Sequence, residues 1–140
     1  VSSTGELITT VLGSCIAVCL YDHKLQIGGM NHFLLASCKQ RKPFGTIGKY
    51  GNLAIPDLLK KLEQKNGNLK NIVAKIIGGA SILAVSNLNK VPNDNIVGAR
   101  QILLELSIPI VGQDIGGRQG RKIIFNTKSG QVTINDSKII

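Results

Sequence analysis

Leu12-Gly13-Ser14-Cys15-Ile16-Ala17-Val18-Cys19-Leu20-Tyr21-Asp22 decides how this chain folds. A short, nearly continuous apolar run bounded by turn residues predicts a buried strand, here Cys15 to Tyr21. Asp22-His23 breaks the run, and Lys24 to Phe33 resumes it. Gly28-Gly29 within the second segment predicts a bulge or a close backbone approach. The unit is a β-hairpin with Cys15 on one arm and His32 on the other.

Working outward, Leu7 to Leu12 is rich in β-formers, and Ala36 to Lys49 is polar, basic and punctuated by Gly and Pro. A segment of that length without periodicity is expected to be a lid or recognition loop. Asn52 to Lys65 places Leu58, Leu59 and Leu62 at helical spacing and meets a stop at Asn66-Gly67. Pro56 implies an irregular first turn, or a helix that starts near it. Asn71 to Ile77 reads as a buried strand running into a tight turn at Gly78-Gly79-Ala80-Ser81. A second helix is predicted over Asn95 to Leu106, with Ile96, Ala99, Leu103 and Leu106 on one face. After Pro109 come three β-type segments, Ile110 to Asp114, Arg121 to Asn126 and Gln131 to Asn135. Thr127-Lys128-Ser129-Gly130 joins the last two as a hairpin. At least six strands and two helices, without βαβ alternation, predict an α+β layered sandwich.

The chain of 140 residues is expected to be one domain over 1–140, burying about two-thirds of its unfolded surface. It begins at Val1 without an initiator methionine, so a segment ahead of this numbering is expected. No signal peptide and no apolar run of about 18 residues occurs, so no membrane insertion is expected. Three cysteines, an odd number, point to a reducing cytoplasm. Lys and Arg number 17 against 8 Asp and Glu, a net charge of +9 that favours acidic partners. The basic residues are spread along the chain, and three Phe, two Tyr and no Trp leave little to stack on bases. Nucleic acid is therefore not the expected partner.

The chemistry centres on Cys15. On a strand, Cys15 and Cys19 stand about 13 Å apart, too far to share a metal ion, and no C-x₂-C pattern occurs. No metal or organic cofactor is expected, and Cys19 reads as a small core residue. Cys15 follows Gly-Ser, a turn at which backbone N–H groups can converge on a developing oxyanion. His23 sits at the far end of the Cys15 strand, whereas His32 returns level with the thiol. His32 is thus the expected base, and its proximity is expected to give the thiol thiolate character. A third polar group usually orients such a ring, and Thr9 or Thr10 would supply a hydroxyl. Ser14 is either a turn residue or part of the substrate pocket. Arg100 is expected to pair with an acid such as Asp114.

The stretch from Leu12 to Asp22 and Ile27-Gly28-Gly29-Met30-Asn31-His32-Phe33-Leu34-Leu35 closely resemble the CheD family of bacterial chemoreceptor glutamine deamidases. Lys49-Tyr50-Gly51, Lys75-Ile76-Ile77-Gly78-Gly79-Ala80-Ser81, Asn95-Ile96-Val97-Gly98-Ala99-Arg100 and Asp114-Ile115-Gly116-Gly117 extend the resemblance over nearly the whole chain. It implies a cysteine hydrolase fold of layered α and β structure around packed mixed β-sheets. It implies conversion of glutamines in the cytoplasmic helices of methyl-accepting chemotaxis receptors to glutamates. Carried over by position, it puts the nucleophile on Cys15, the base on His32 and the third residue on Thr9, with Thr10 as the alternative register. The alternative it implies is an adaptor that binds and stimulates a CheC-type phosphatase, with deamidation secondary. Two departures stand out: Ala36 where a proline is common, and Gln101 where asparagine is usual.

Overall fold

A computed structural model describes residues 1–37, 47–82 and 90–140. The expected lid falls largely on residues 38–46, outside the described residues, as does Cys38. Eight strands are described: β1 (Leu7–Leu12), β2 (Ile16–Asp22), β3 (Ile27–Phe33), β4 (Ile72–Gly78), β5 (Ile110–Ile115), β6 (Arg121–Asn126), β7 (Val132–Ile134) and β8 (Lys138–Ile139). Two α-helices accompany them, α1 (Gly51–Gln64) and α2 (Val91–Glu105). Neither is long and apolar enough to cross a membrane.

The strands form two four-stranded sheets, in the orders β3-β2-β4-β5 and β1-β6-β7-β8. The first carries the helices on one face and the second sheet on the other. Two cores result. Ile16, Val18, Leu20, Phe33, Ile72 and Ile76 pack against Ala54, Ile55, Leu58 and Leu62 of α1 and Ile96, Ala99 and Leu103 of α2. Leu12, Ala17, Cys19 and Ile77 pack against Ile123, Phe125, Val132 and Ile134 of the second sheet. Alternate residues of β2 feed alternate cores, which is why its sequence is apolar without interruption. The layered α+β sandwich expected from the sequence is the observed architecture.

Some details differ. β4 and β5 are parallel neighbours, with α2 lying between them in sequence. The chain therefore contains a βαβ crossover that the strand count had excluded, because a parallel pair needs a connection of a dozen or more residues and α2 supplies it. β2 and β3 pair without a register shift, so Gly28-Gly29 marks close approach and not a bulge. A Cβ on Gly28 would press into the Phe125 ring at 2.9 Å, and one on Gly29 would meet Leu58 and Val1 at 2.7 Å. α1 starts at Gly51 and carries Pro56 within it. It ends as predicted, Gly67 N–H returning to the Leu62 carbonyl while Asn66 adopts φ +67°. Asp114 pairs with Arg121 at 2.8 Å and Lys138 at 3.1 Å, and Arg100 donates to Gln113 instead. Arg121 also donates to the Gly116 carbonyl, closing the β5–β6 turn.

Candidate active site

Ala17 lies opposite His32 in the β2–β3 ladder, and Cys19 opposite Met30. Those residues face the second sheet, and Cys15, one alternation step before Ala17, packs into the same inter-sheet core. Cys15 and His32 are thus diagonal neighbours on one face, a relation that brings Cα atoms to about 7–8 Å and lets long side chains meet. His23 is in the turn at the other end of β2, beside a cavity of about 230 Å³ lined by Cys19, Tyr21 and Lys75. The hairpin separates the two histidines as the sequence predicts.

The facing sheet supplies the third group. Thr10 Oγ1 is 2.9 Å from His32 Nδ1. Thr9, the position implied by the resemblance, is not brought to the ring. On β1, Leu7, Thr9 and Val11 are exposed, whereas Ile8, Thr10 and Leu12 turn inward. Adjacent strand residues take opposite faces, so a shift of one residue moves the hydroxyl from one side of the sheet to the other. Thr10 is thus the threonine that lies beside the ring.

The turn before β2 is held by the glycine turn that follows β4. Gly79 N–H donates to the Cys15 carbonyl and Ala80 N–H to the Gly13 carbonyl, both at 2.9 Å. Gly78, at φ +117°, lies so close that a Cβ would collide with the Cys15 carbonyl oxygen. The Gly78-Gly79-Ala80-Ser81 segment is therefore the back wall of the cysteine turn. Asn95 is a second support that sequence reasoning passed over. It is 1% exposed, donates to the Ser14 and Leu34 carbonyls, and accepts from Ala36 N–H. A polar residue at the core-facing position just before Ile96 was the available signal.

Electrostatics distinguish the two described thiols. Cys15 is partly exposed. Burial pushes its thiol above the ordinary value of 9.0, opposed by its own backbone N–H and the Ser14 side chain. Cys19 is fully buried and pushed much further up by burial, with Lys75 opposing. It is an inert core residue. Burial also lowers His32 from 6.5. With the thiol raised and the imidazole lowered, loss of hydration penalises both charges and favours the neutral pair, against the thiolate character expected from the sequence.

The arrangement sets a partly exposed thiol on the same face as an imidazole with one ring nitrogen engaged, beside a glycine-walled turn, groups of the kind that acyl transfer from an amide uses. Residues 34–136 match the CheD family, described as CheD chemotactic sensory transduction. A "Probable chemoreceptor glutamine deamidase CheD" from Clostridium acetobutylicum is 42% identical over 135 residues, 94% of this chain and 81% of the relative. A protein of the same name from Sulfurimonas denitrificans is 44% identical over 134 residues, 92% and 83% of the two chains. A "CheD 1" of that description from Anaeromyxobacter dehalogenans is 37% identical over 131 residues, 93% and 75%. With the family match spanning most of its length and relatives aligned over more than nine-tenths of it, this chain belongs to the CheD family.

Proposed function

We propose that this protein hydrolyses glutamine side-chain amides of chemotaxis receptors, giving glutamate and ammonia, with Cys15 as nucleophile and His32 as base. The observation that carries this reading is the placement of Cys15 and His32 on one face of the hairpin, with Thr10 on His32 Nδ1. If Nδ1 donates to the threonine oxygen, Nε2 carries the lone pair and accepts the Cys15 proton. The sulfur attacks the carboxamide carbon, and the carbonyl electrons move onto oxygen, held by the Cys15 N–H and a neighbouring donor. Collapse breaks the C–N bond, and the imidazolium proton leaves with the amine as ammonia. One water, deprotonated by His32, then cleaves the thioester and restores the thiol. The Ser14 hydroxyl, which opposes the upward push of burial on the thiol, lines the point where the carboxamide enters.

Thr10 orients the ring in this scheme. The relatives' names supply the receptor substrate, and the +9 charge suits an acidic target surface. The test is mass spectrometry of a receptor cytoplasmic fragment after incubation with the protein or with Cys15→Ala. The wild type should produce the mass gain of amide-to-acid conversion at specific glutamines. Equal conversion by Cys15→Ala would refute the assignment.

A further inference from the structure

Asn95 belongs to α2, whose other buried residues are Pro92, Ile96, Ala99 and Leu103. Nothing in ordinary helix packing calls for a carboxamide there. A buried amide is costly unless its donors and acceptor are met. Here they are met by backbone of the two segments that carry the site: Ser14 just before the nucleophile, at 3.1 Å, and Leu34 and Ala36 just after β3, at 2.9 and 2.8 Å.

The bond to Ser14 has a directional consequence. The Ser14 carbonyl and the Cys15 N–H belong to one peptide plane, and in a trans peptide the two point in opposite directions. The described chain contains no cis bond. Fixing the carbonyl on Asn95 therefore aims the Cys15 N–H away from α2. That N–H faces the thiol of its own residue, where it favours the thiolate, and it has no carbonyl partner among the described residues. A peptide whose carbonyl accepts a hydrogen bond is also further polarised, which strengthens its N–H as a donor. At the other end of the same peptide pair, the Cys15 carbonyl is taken by Gly79 N–H. The cysteine's flanking peptides are thus locked from both sides, with one N–H left over.

We infer that Asn95 is a positioning residue for catalysis: it orients and polarises the Ser14–Cys15 peptide so that the Cys15 N–H meets the oxyanion of the tetrahedral intermediate. This rests on the deamidase reading above. It predicts a separation between two reactions of the same sulfur. Amide hydrolysis develops an oxyanion, whereas alkylation by iodoacetamide is displacement at a saturated carbon and develops none.

The test uses Asn95→Asp in the full chain. Aspartate keeps the shape and still accepts from Ala36 N–H, but it turns an oxygen toward the Ser14 and Leu34 carbonyls. Deamidation kcat on the receptor fragment should fall about 10- to 100-fold, with KM and the iodoacetamide rate at Cys15 each within about 3-fold of wild type. Asn95→Ser, whose hydroxyl is too short to span the Ser14 and Leu34 carbonyls, replaces it if the aspartate variant fails to fold. Parallel loss of both reactions would reduce Asn95 to a structural role, and deamidation within about 3-fold of wild type would overturn the inference directly. Cys15→Ala runs beside them. If it still deamidates, the reading of the site itself fails. If it is dead while the Asn95 variant is fully active, only the role of Asn95 fails.

Discussion

Replacing Gly78 by alanine tests the back wall of the cysteine turn with a single methyl group. Two costs combine. Gly78 sits at φ +117°, a conformation an L-residue adopts only with strain of about 1 kcal/mol or more. The new Cβ would also collide with the Cys15 carbonyl oxygen. That oxygen is backbone and is tied to Gly79 N–H at 2.9 Å, so it cannot swing away as a side chain would. Overpacking of this kind adds about 1–3 kcal/mol. The sum, about 3 kcal/mol, should lower the melting midpoint by roughly 10 °C for a chain of this size. Gly116→Ala provides the comparison, because Gly116 has φ +77° with no neighbour within 4 Å of an added Cβ among the described residues. It carries the backbone cost alone, about 1 kcal/mol or roughly 3–4 °C. Gly48→Ala, with no positive φ and no neighbour within 4 Å among the described residues, should be within about 0.5 kcal/mol of wild type. Thermal unfolding of the three variants measures the series, and the iodoacetamide rate at Cys15 reports whether the turn has moved. Equal midpoints for Gly78→Ala and Gly116→Ala would refute the close-contact argument.

Thr10→Val removes the ring partner and should lower deamidation about 10-fold, whereas Thr9→Val should change it less than about 2-fold; the reverse order would restore the register implied by the resemblance. Because burial lowers His32 from 6.5 and a base acts only when neutral, activity should persist below pH 6.5, and an acid limb of kcat/KM above that value would contradict the neutral resting pair. Asp22 has no exposed surface: burial raises its carboxyl, but the N–H groups of Asn68, Leu25 and Lys24, with His23, outweigh burial and hold it below 3.8. A depressed folded value means stability present above the ordinary carboxyl range and lost as pH falls through the folded value. Asp22→Ala should thus cost about 3 kcal/mol at pH 7 in urea unfolding, the difference from wild type shrinking in acid; a pH-independent difference would show the carboxylate charge to be immaterial.

The hairpin was legible because both of its signals are local: an apolar run for β2 and a turn that returns His32 toward the thiol. α1 and its stop at Asn66-Gly67 were legible for the same reason. What escaped depended on distant parts of the chain. Whether Thr9 or Thr10 faces His32 is a matter of parity, set by the β1–β6 register and not by any property of the two threonines. The role of Asn95 depends on α2 packing across the exits of two strands far away in sequence. The Gly28-Gly29 pair could not be told from a bulge until Phe125 and Leu58 were placed against it. The parallel β4–β5 pairing was hidden because strand direction leaves no mark on composition.

Thr10, Cys15 and His32 are all synthesised before β6, but β1 has β6 as its sheet partner, so Val11 must wait for Lys122. Pairings of such sequence separation form late, after the entropy of closing the intervening chain has been overcome. The hairpin can fold on the emerging chain, carrying thiol and imidazole, while the threonine that fixes the ring has nothing to hold it in place. Pairing of β1 with β6 therefore acts as a maturation step: Thr10 is set against the His32 ring only after β6 has been made.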